Sequence, residues 1–250
     1  AGVLRNHAVP YIQGRWTLFL DCDDSMEPSA WVGATKAAEA YAGVDLAFVK
    51  YERLVEDGRG VWRGEHMFAS DMHAWQRVVE STSFAGARMA ALQLINYPWT
   101  RLVRTEFLLK HYVHFGLNAV HNDVLFHWLS LAHARGVLSL DEVGVRHRYH
   151  HASTQLTRRE SMRTVTVFDD LRLVHRRLCA TADWKVVKPL FGIFSRNLLA
   201  WIASKFAVHK EWRAKSAALA RCVQEDDCLA CVEVDAGSQR ERRAYPRTRS

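Results

Sequence analysis

Three carboxylates stand within four positions at Asp21-Cys22-Asp23-Asp24, directly after the apolar run 16–20. Like charges this close repel one another, and beside a buried strand they are costly unless a positive group neutralises them. A divalent cation is such a group. Oxygen-only ligands favour Mg2+ or Mn2+, and an ion of that kind would also neutralise a diphosphate leaving group. The competing reading is structural, with Asp21 or Asp24 capping the helix that begins near Ser29.

The other chemistry-bearing side chains are weaker signals. Asp123 follows His121-Asn122 and opens an apolar stretch over 124–134, a position that suits a helix cap. Histidines gather at His111, His114, His121, His127 and His133, and again at His147, His150 and His151. His127 and His133 share the stretch 124–134 but lack the i, i+4 spacing of a helical metal site, so most of these rings read as solvent-facing or hydrogen-bonded. Five cysteines are an odd number without framework spacing, which points to a reducing compartment. Cys222, Cys228 and Cys231 lack a fourth zinc ligand at suitable spacing and read as free thiols.

The elements that must position the aspartates follow from hydrophobic pattern and turn chemistry. The run 16–20, bounded by Gly14 and the aspartates, predicts a buried, central strand. Pro28-Ser29 starts a helix that the Ala-rich stretch carries to residue 42 and Gly43 stops. A second strand follows over 45–51, and strand, helix, strand is the signature of an α/β layer with crossover connections. Asp57-Gly58 predicts a hairpin or edge excursion over 53–64. Helices are expected over 72–80 and 84–95, broken by Tyr97-Pro98, then a short strand over 99–104 and a helix over 106–112 capped by Thr105. Residues 137–140 and 143–149 read as extended segments paired with one another. From 159 the pattern is helical almost to 222, and the tail after 233 is polar, Arg-rich and expected to be disordered.

Charge divides the chain. Residues 1–150 carry 15 Lys and Arg against 16 Asp and Glu, whereas residues 151–250 carry 19 against 11, which together give the net charge of +7. The basic part would be drawn to anionic lipid, nucleic acid or phosphorylated substrates. No span of the required ~20 uninterrupted apolar residues is expected. The nearest candidate, 190–208, is interrupted by Arg196, Asn197 and Lys205; it reads either as an interfacial amphipathic helix or as a helix packed on the catalytic domain. The chain opens without an initiator Met in what reads as mid-helix, so further residues are expected upstream.

The segment from Val3-Leu4-Arg5-Asn6-His7 through Gly14 to Asp21-Cys22-Asp23-Asp24 and Pro28 resembles the core of the family 2 glycosyltransferases. In that family an Arg-Asn helix leads through a Gly to a strand ending in D-x-D-D and a short loop to Pro. Tyr97-Pro98-Trp99-Thr100-Arg101-Leu102 is similar to the family's W-N-K-L segment, with Thr100 where Asn is usual. Residues 115–123 look like the approach to its E-D motif, with Asn122 in place of Glu and Asp123 kept. His147-Arg148-Tyr149-His150-His151 resembles the extended segment that closes such domains. The resemblance covers residues 1 to about 157.

It implies a GT-A-like, Rossmann-related α/β sheet lacking its first strands and followed by a C-terminal helical region. The expected divisions are a catalytic part over 1–157, a basic helical appendage over 158–232 and a tail over 233–250. The implied reaction moves a sugar from a nucleotide diphosphate sugar to an acceptor hydroxyl with inversion, in cell-surface polysaccharide or glycoconjugate synthesis. Asp123 would be the catalytic base. Asp21, Asp23 and Asp24 would hold Mn2+ or Mg2+, and Arg5, with Asp21 and Asp23, would meet the donor. Trp99 would face the acceptor sugar or fill the core; His121 and Asn122 would contact substrate.

The expected partners are the donor, a carbohydrate or lipid-linked acceptor and an anionic membrane surface, with no nucleic acid. The expected location is cytoplasmic, peripheral at the inner face of the membrane. The chain alone is expected to be inactive, because part of the donor pocket would lie upstream of Ala1. The alternatives are an inactive scaffold, motivated by Asn122, and a basic membrane- or nucleic-acid-binding protein carrying Arg158, Arg159, Arg163, Arg172, Arg176 and Arg177.

Overall fold

A computed structural model of the chain describes residues 1–57, 59–149, 167–205 and 210–225. The readings made for His150, His151, Arg158, Arg159, Arg163, Cys228, Cys231, the boundary at 157 and the tail from 233 lie outside the described residues.

The sheet is organised around β3 (Val44–Glu56), whose Val44, Leu46, Ala47, Phe48 and Val49 are wholly inaccessible. An unbroken buried run of this kind belongs to a strand covered on both faces. On one side β6 (Gly136–Tyr149) runs parallel to it, and on the other β5 (Arg101–Arg104) runs antiparallel. β1 (Trp16–Thr17) lies beyond β5, β2 (Ser25–Met26) lies beyond β6, and β4 (Trp62–Glu65) returns along the far end of β3 as the expected hairpin. The strand order is β1-β5-β3-β6-β2.

Two expectations are corrected. The run 16–20 is not a central strand: only Trp16 and Thr17 pair, at the edge of the sheet, and burial alternates along the run because one face alone is fully covered. Residues 137–140 and 143–149 do not pair with each other. They form one strand, β6, paired with β3 throughout, and Asp141-Glu142 make a bulge where a turn was expected. Lys50 and the Trp75 indole N–H hold Asp141 at 2.5 and 3.0 Å.

α2 (Pro28–Ala40) starts with Pro28 at its first position and ends before Gly43, whose φ of +92° turns the chain into β3. No aspartate caps it. α3 (Ala69–Val79) and α4 (Phe84–Ala91), the latter capped by Ser83, pack together and against β6. α5 (Thr105–Lys110) follows β5. Thr105 does not cap this helix. Its hydroxyl donates to the Gly14 carbonyl at 2.6 Å and lies 2.8 Å from the Thr17 hydroxyl, tying β1 to the sheet.

α6 (Asp123–His133) links the sheet to the C-terminal helices α7 (Val167–Cys179), α8 (Trp184–Lys205) and α9 (Lys210–Glu225). The fully buried Trp128 of α6 meets Phe191 and Phe194 of α8 with ring centroids 5.1 and 5.2 Å apart. α8 begins six residues before the predicted 190. Its segment Trp184–Ser204 is long and apolar enough to cross a membrane by length and composition, although Lys185, Lys188 and Arg196 interrupt it as expected.

At the carboxyl end of β3, the Tyr51 hydroxyl donates to Asp71 at 2.5 Å, and the Ile95 amide donates to the other Asp71 oxygen at 2.9 Å. Burial pushes the Asp71 pKa up against these bonds. Tyr51→Phe removes one donor from a buried carboxylate, and we expect a loss of about 1–3 kcal/mol in denaturant melts at pH 7. A melt unchanged from the native chain would show that this bond does not brace the loop before Tyr97.

Candidate functional site

β1, β3 and β6 point the same way, so the segments after β1, before β5, late in β6 and at the start of α6 converge at one end of the sheet. In open α/β sheets, ligands bind at that carboxyl end. The aspartates arrive on a tight turn in which the Asp24 amide donates to the Asp21 carbonyl at 3.1 Å. One carboxylate oxygen from each of Asp21, Asp23 and Asp24 lies within 4.8 Å of the others.

The three are not equivalent. Asp21 is half-buried and ion-paired with Arg5; burial raises its pKa, Arg5 opposes the shift, and Asp24 and Asp23 add to it. Asp24 has no exposed side-chain surface. Its carboxylate accepts from His147 Nδ1 at 2.9 and 3.1 Å and from the Arg148 amide at 3.0 Å. Only Asp23 faces solvent freely. The oxygen donor set suits Mg2+ or Mn2+, and an ion there would share Asp21 with Arg5 and Asp24 with His147.

Arg5 is aimed by α1 (Gly2–Ala8), and its neighbour Asn6 fixes that helix. The buried Asn6 amide donates to the Phe115 carbonyl and accepts from the Phe115 amide, both at 2.8 Å. A Cβ on Gly2 would come within 2.3 Å of the Gly116 carbonyl oxygen, so only glycine lets α1 sit this close. The Arg5 guanidinium lies 4.9 Å over the Phe115 ring and reaches Asn122 Oδ1 at 3.5 Å. It therefore spans the gap between the acidic turn and the start of α6.

Asp123 is the first residue of α6, and Asn122 before it makes no side-chain cap there. The residue keeps some accessible surface, but its carboxyl is deep among protein atoms. Burial pushes its pKa up to about 6, Arg5 and a hydrogen bond from the Asn96 side chain hold it down, and Asp21 adds to the rise. Such a group is largely ionised at neutral pH and still ready to take a proton.

His121 has a φ of 60°, in the left-handed region. Its Nε2 is buried without a hydrogen-bond partner, its ring stands edge-on to Trp201 at 5.8 Å, and burial lowers its pKa to about 4. The ring is neutral beside Asp123.

Of the two readings of Trp99, acceptor wall or core, the structure takes the core. It is wholly buried, with one face stacked on Tyr97 at 4.4 Å, His147 at 5.0 Å and the Tyr51 ring edge at 5.2 Å. No ring face remains for a sugar. Its role is to fix His147, and through His147 the acidic turn.

Several residues assigned no role from sequence complete the site: Asn6, Asn96, Arg101, His127 and His147. Arg101 and His127 are fully buried. Burial pushes the Arg101 pKa down to about 9, while Asp123 favours its charge. Arg101 donates to the Tyr97 carbonyl at 3.1 Å and lies 3.0 Å from His127 Nδ1; the guanidinium stacks 4.5 Å over Phe48. Burial, then Arg101, hold His127 well below its ordinary pKa, so its neutral ring accepts at Nδ1 and can donate from Nε2 to the Leu92 carbonyl at 3.4 Å. The only sequence signal for Arg101 was its place where W-N-K-L carries Lys. His147 was marked only by its place in the segment resembling the one that closes such domains; its partner Asp24 lies more than a hundred positions away.

No protein-family model matches the sequence, and no curated protein does so. Solved structures do. S. aureus TarS 1-349 in complex with UDP-GlcNAc is similar at a TM-score of 0.53 and 16% identity, over 92% of this chain and 69% of that one. The same protein in complex with UDP gives 0.52 and 16%, over 90% and 70%. A longer TarS structure gives 0.51 and 16%, over 92% of this chain and 41% of that one. At this identity the likeness is one of fold, and the fold is a mixed α/β, GT-A-like architecture.

Proposed function

We propose that the intact protein transfers a sugar from a nucleotide diphosphate sugar to an acceptor hydroxyl, with inversion, in the synthesis of a cell-surface polysaccharide or glycoconjugate. The observation that carries this reading is the pairing of a buried carboxyl of pKa about 6, Asp123, with Arg5 and the acidic turn at the carboxyl end of a GT-A-like sheet. UDP-GlcNAc in the similarly folded TarS agrees with it.

In inversion the acceptor oxygen attacks the anomeric carbon opposite the diphosphate. As the new C–O bond forms and the bond to the diphosphate breaks, the hydroxyl proton passes to Asp123. Arg5, a fixed cation with planar geometry, is suited to the diphosphate once released from Asp21. Mn2+ or Mg2+ on Asp21, Asp23 and Asp24 would supply charge neutralisation for the departing diphosphate. His121 and Asn122 would contact substrate beside the base. Asn122 in place of Glu leaves Asp123 without a second buried carboxylate next to it, which keeps its pKa near neutrality instead of driving it higher. The free thiol of Cys22 agrees with a reducing, cytoplasmic setting.

In the intact protein, calorimetric titration with a nucleotide diphosphate is expected to give binding only with Mn2+ or Mg2+, and Asp23→Ala is expected to abolish it. Binding that survives both changes would remove the metal from the reading. Asp123→Asn should retain donor binding while turnover falls by about 10²-fold or more. In the native enzyme, kcat/KM should rise with pH through about 6 as the base ionises. Turnover of the Asn variant at the native rate would exclude the base.

The same residue gives a stability test of opposite sign. A carboxyl whose folded pKa is raised from 3.8 to about 6 favours the fold below about pH 4, and that contribution is lost as pH rises through about 6. Asp123→Asn should therefore stabilise the chain at pH 8, by at most about 3 kcal/mol for a shift of about two units, and hardly at all at pH 4. A gain that does not depend on pH would show that the carboxyl is not held against its charge.

A further inference from the structure

α8 has two faces of different fate. Trp184, Val187, Phe191, Ser195, Leu199 and Ile202 are buried against the body of the protein. On the opposite side Val186, Ile193 and Trp201 are 62%, 46% and 39% exposed, with Pro189, Ala200 and the polar Asn197 exposed between them. This apolar stripe, along a helix of 22 residues, is left uncovered by the described residues. An exposed apolar face of this length, interrupted by the single amide of Asn197, marks a contact yet to be made.

Charge decides which contact. Residues 184–205 contain Lys185, Lys188, Arg196 and Lys205 and neither Asp nor Glu. Lys185 and Arg196 are exposed at the border of the stripe. A second copy of the chain meeting this face about a two-fold axis would set these cations against their own equivalents, which opposes self-association. An anionic bilayer surface offers the complement: headgroups for the cations and the acyl boundary for Val186, Ile193 and Trp201. The buried half of the helix, held by Trp128 through Phe191 and Phe194, opposes its leaving the core to span a membrane.

We propose that α8 docks the protein, lying flat, on an anionic phospholipid surface through the face of Val186, Ile193 and Trp201. The position of Trp201 gives this docking a direction. Its ring stands against His121, two residues from Asp123, so the carboxyl end of the sheet lies beside the membrane plane. An acceptor carried on a lipid would reach the base without leaving the bilayer; that clause rests on the transferase reading, whereas the docking does not.

The test is flotation of the full chain with phosphatidylcholine vesicles, alone or mixed with phosphatidylglycerol, without donor or acceptor. Its outcome is thereby separate from any failure of catalysis. Flotation is expected with the anionic vesicles alone, with release in high salt. Val186→Gln with Ile193→Gln, and separately Lys185→Glu with Arg196→Glu, should each lower the bound fraction roughly tenfold, as expected for the loss of two interfacial contacts. Circular dichroism of both variants should match the native chain.

Four results would overturn the proposal: no flotation with anionic vesicles, equal flotation with neutral ones, retention through high salt and alkaline carbonate, or undiminished binding by both folded variants. Sedimentation without lipid covers the second-copy reading. A dimer dissolved by Ile193→Gln would assign the face to self-association instead.

Discussion

The arrangement of the candidate site depends on how the charge of the aspartate turn is balanced. Three carboxylates close on one tight turn would repel one another, and the protein answers from two remote places. Arg5 reaches Asp21 from the first helix, and His147 reaches Asp24 from the far end of β6. Each of these groups is itself held: Arg5 by the double hydrogen bond of Asn6 to Phe115, and His147 by stacking on Trp99. The exposed Asp23 is left as the least committed carboxylate of the three. In the proposed reaction, the same electrostatic problem is passed from side chains to a metal and a diphosphate.

A second balance lies deeper. Arg101 is an uncommon burial, a guanidinium with no direct carboxylate partner among the described ion pairs and an Nε without a hydrogen bond. It is retained by the Tyr97 carbonyl, the neutral His127 ring and the face of Phe48, and by attraction to Asp123. A buried cation near a buried carboxyl lets each keep its charge more easily than it would alone. Asp123 thus favours the Arg101 charge, while Asp123 itself is held down by its own backbone amide, Arg5 and Asn96 although burial alone would drive it higher. Sites of this kind give up stability for reactivity, and the surrounding aromatic core of Trp99, Phe48, Phe126 and Trp128 supplies the rigidity that tolerates it.

The C-terminal helices belong to the same economy of positioning. α6 carries Asp123 at its first turn and Trp128 in its middle, so the contact of Trp128 with α8 anchors the helix that presents Asp123, the proposed base. α8 also supplies Trp201 against His121, which lies in a left-handed conformation. The basic half of the chain is thus built into one wall of the site.

The sequence by itself determined the local elements whose signals are short-ranged. The Ala-rich helix between Pro28 and Gly43, the β3–β4 hairpin, the break at Tyr97-Pro98 and the clustering of Asp21, Asp23 and Asp24 all follow from neighbours a few positions apart. The strand over 45–51 was legible too, though β3 runs on to Glu56 because β4 and β6 continue to pair with it. Only the tertiary structure decided which strand is central, since the apolar run 16–20 and β3 look alike until the sheet order is known. It alone decided that Asp141-Glu142 is a bulge, that Trp99 is core, and that His147 and Arg101 serve the site. Those outcomes rest on contacts between residues tens to more than a hundred positions apart and on burial, which sets pKa values and removes ring faces from solvent, and neither quantity is written in local spacing.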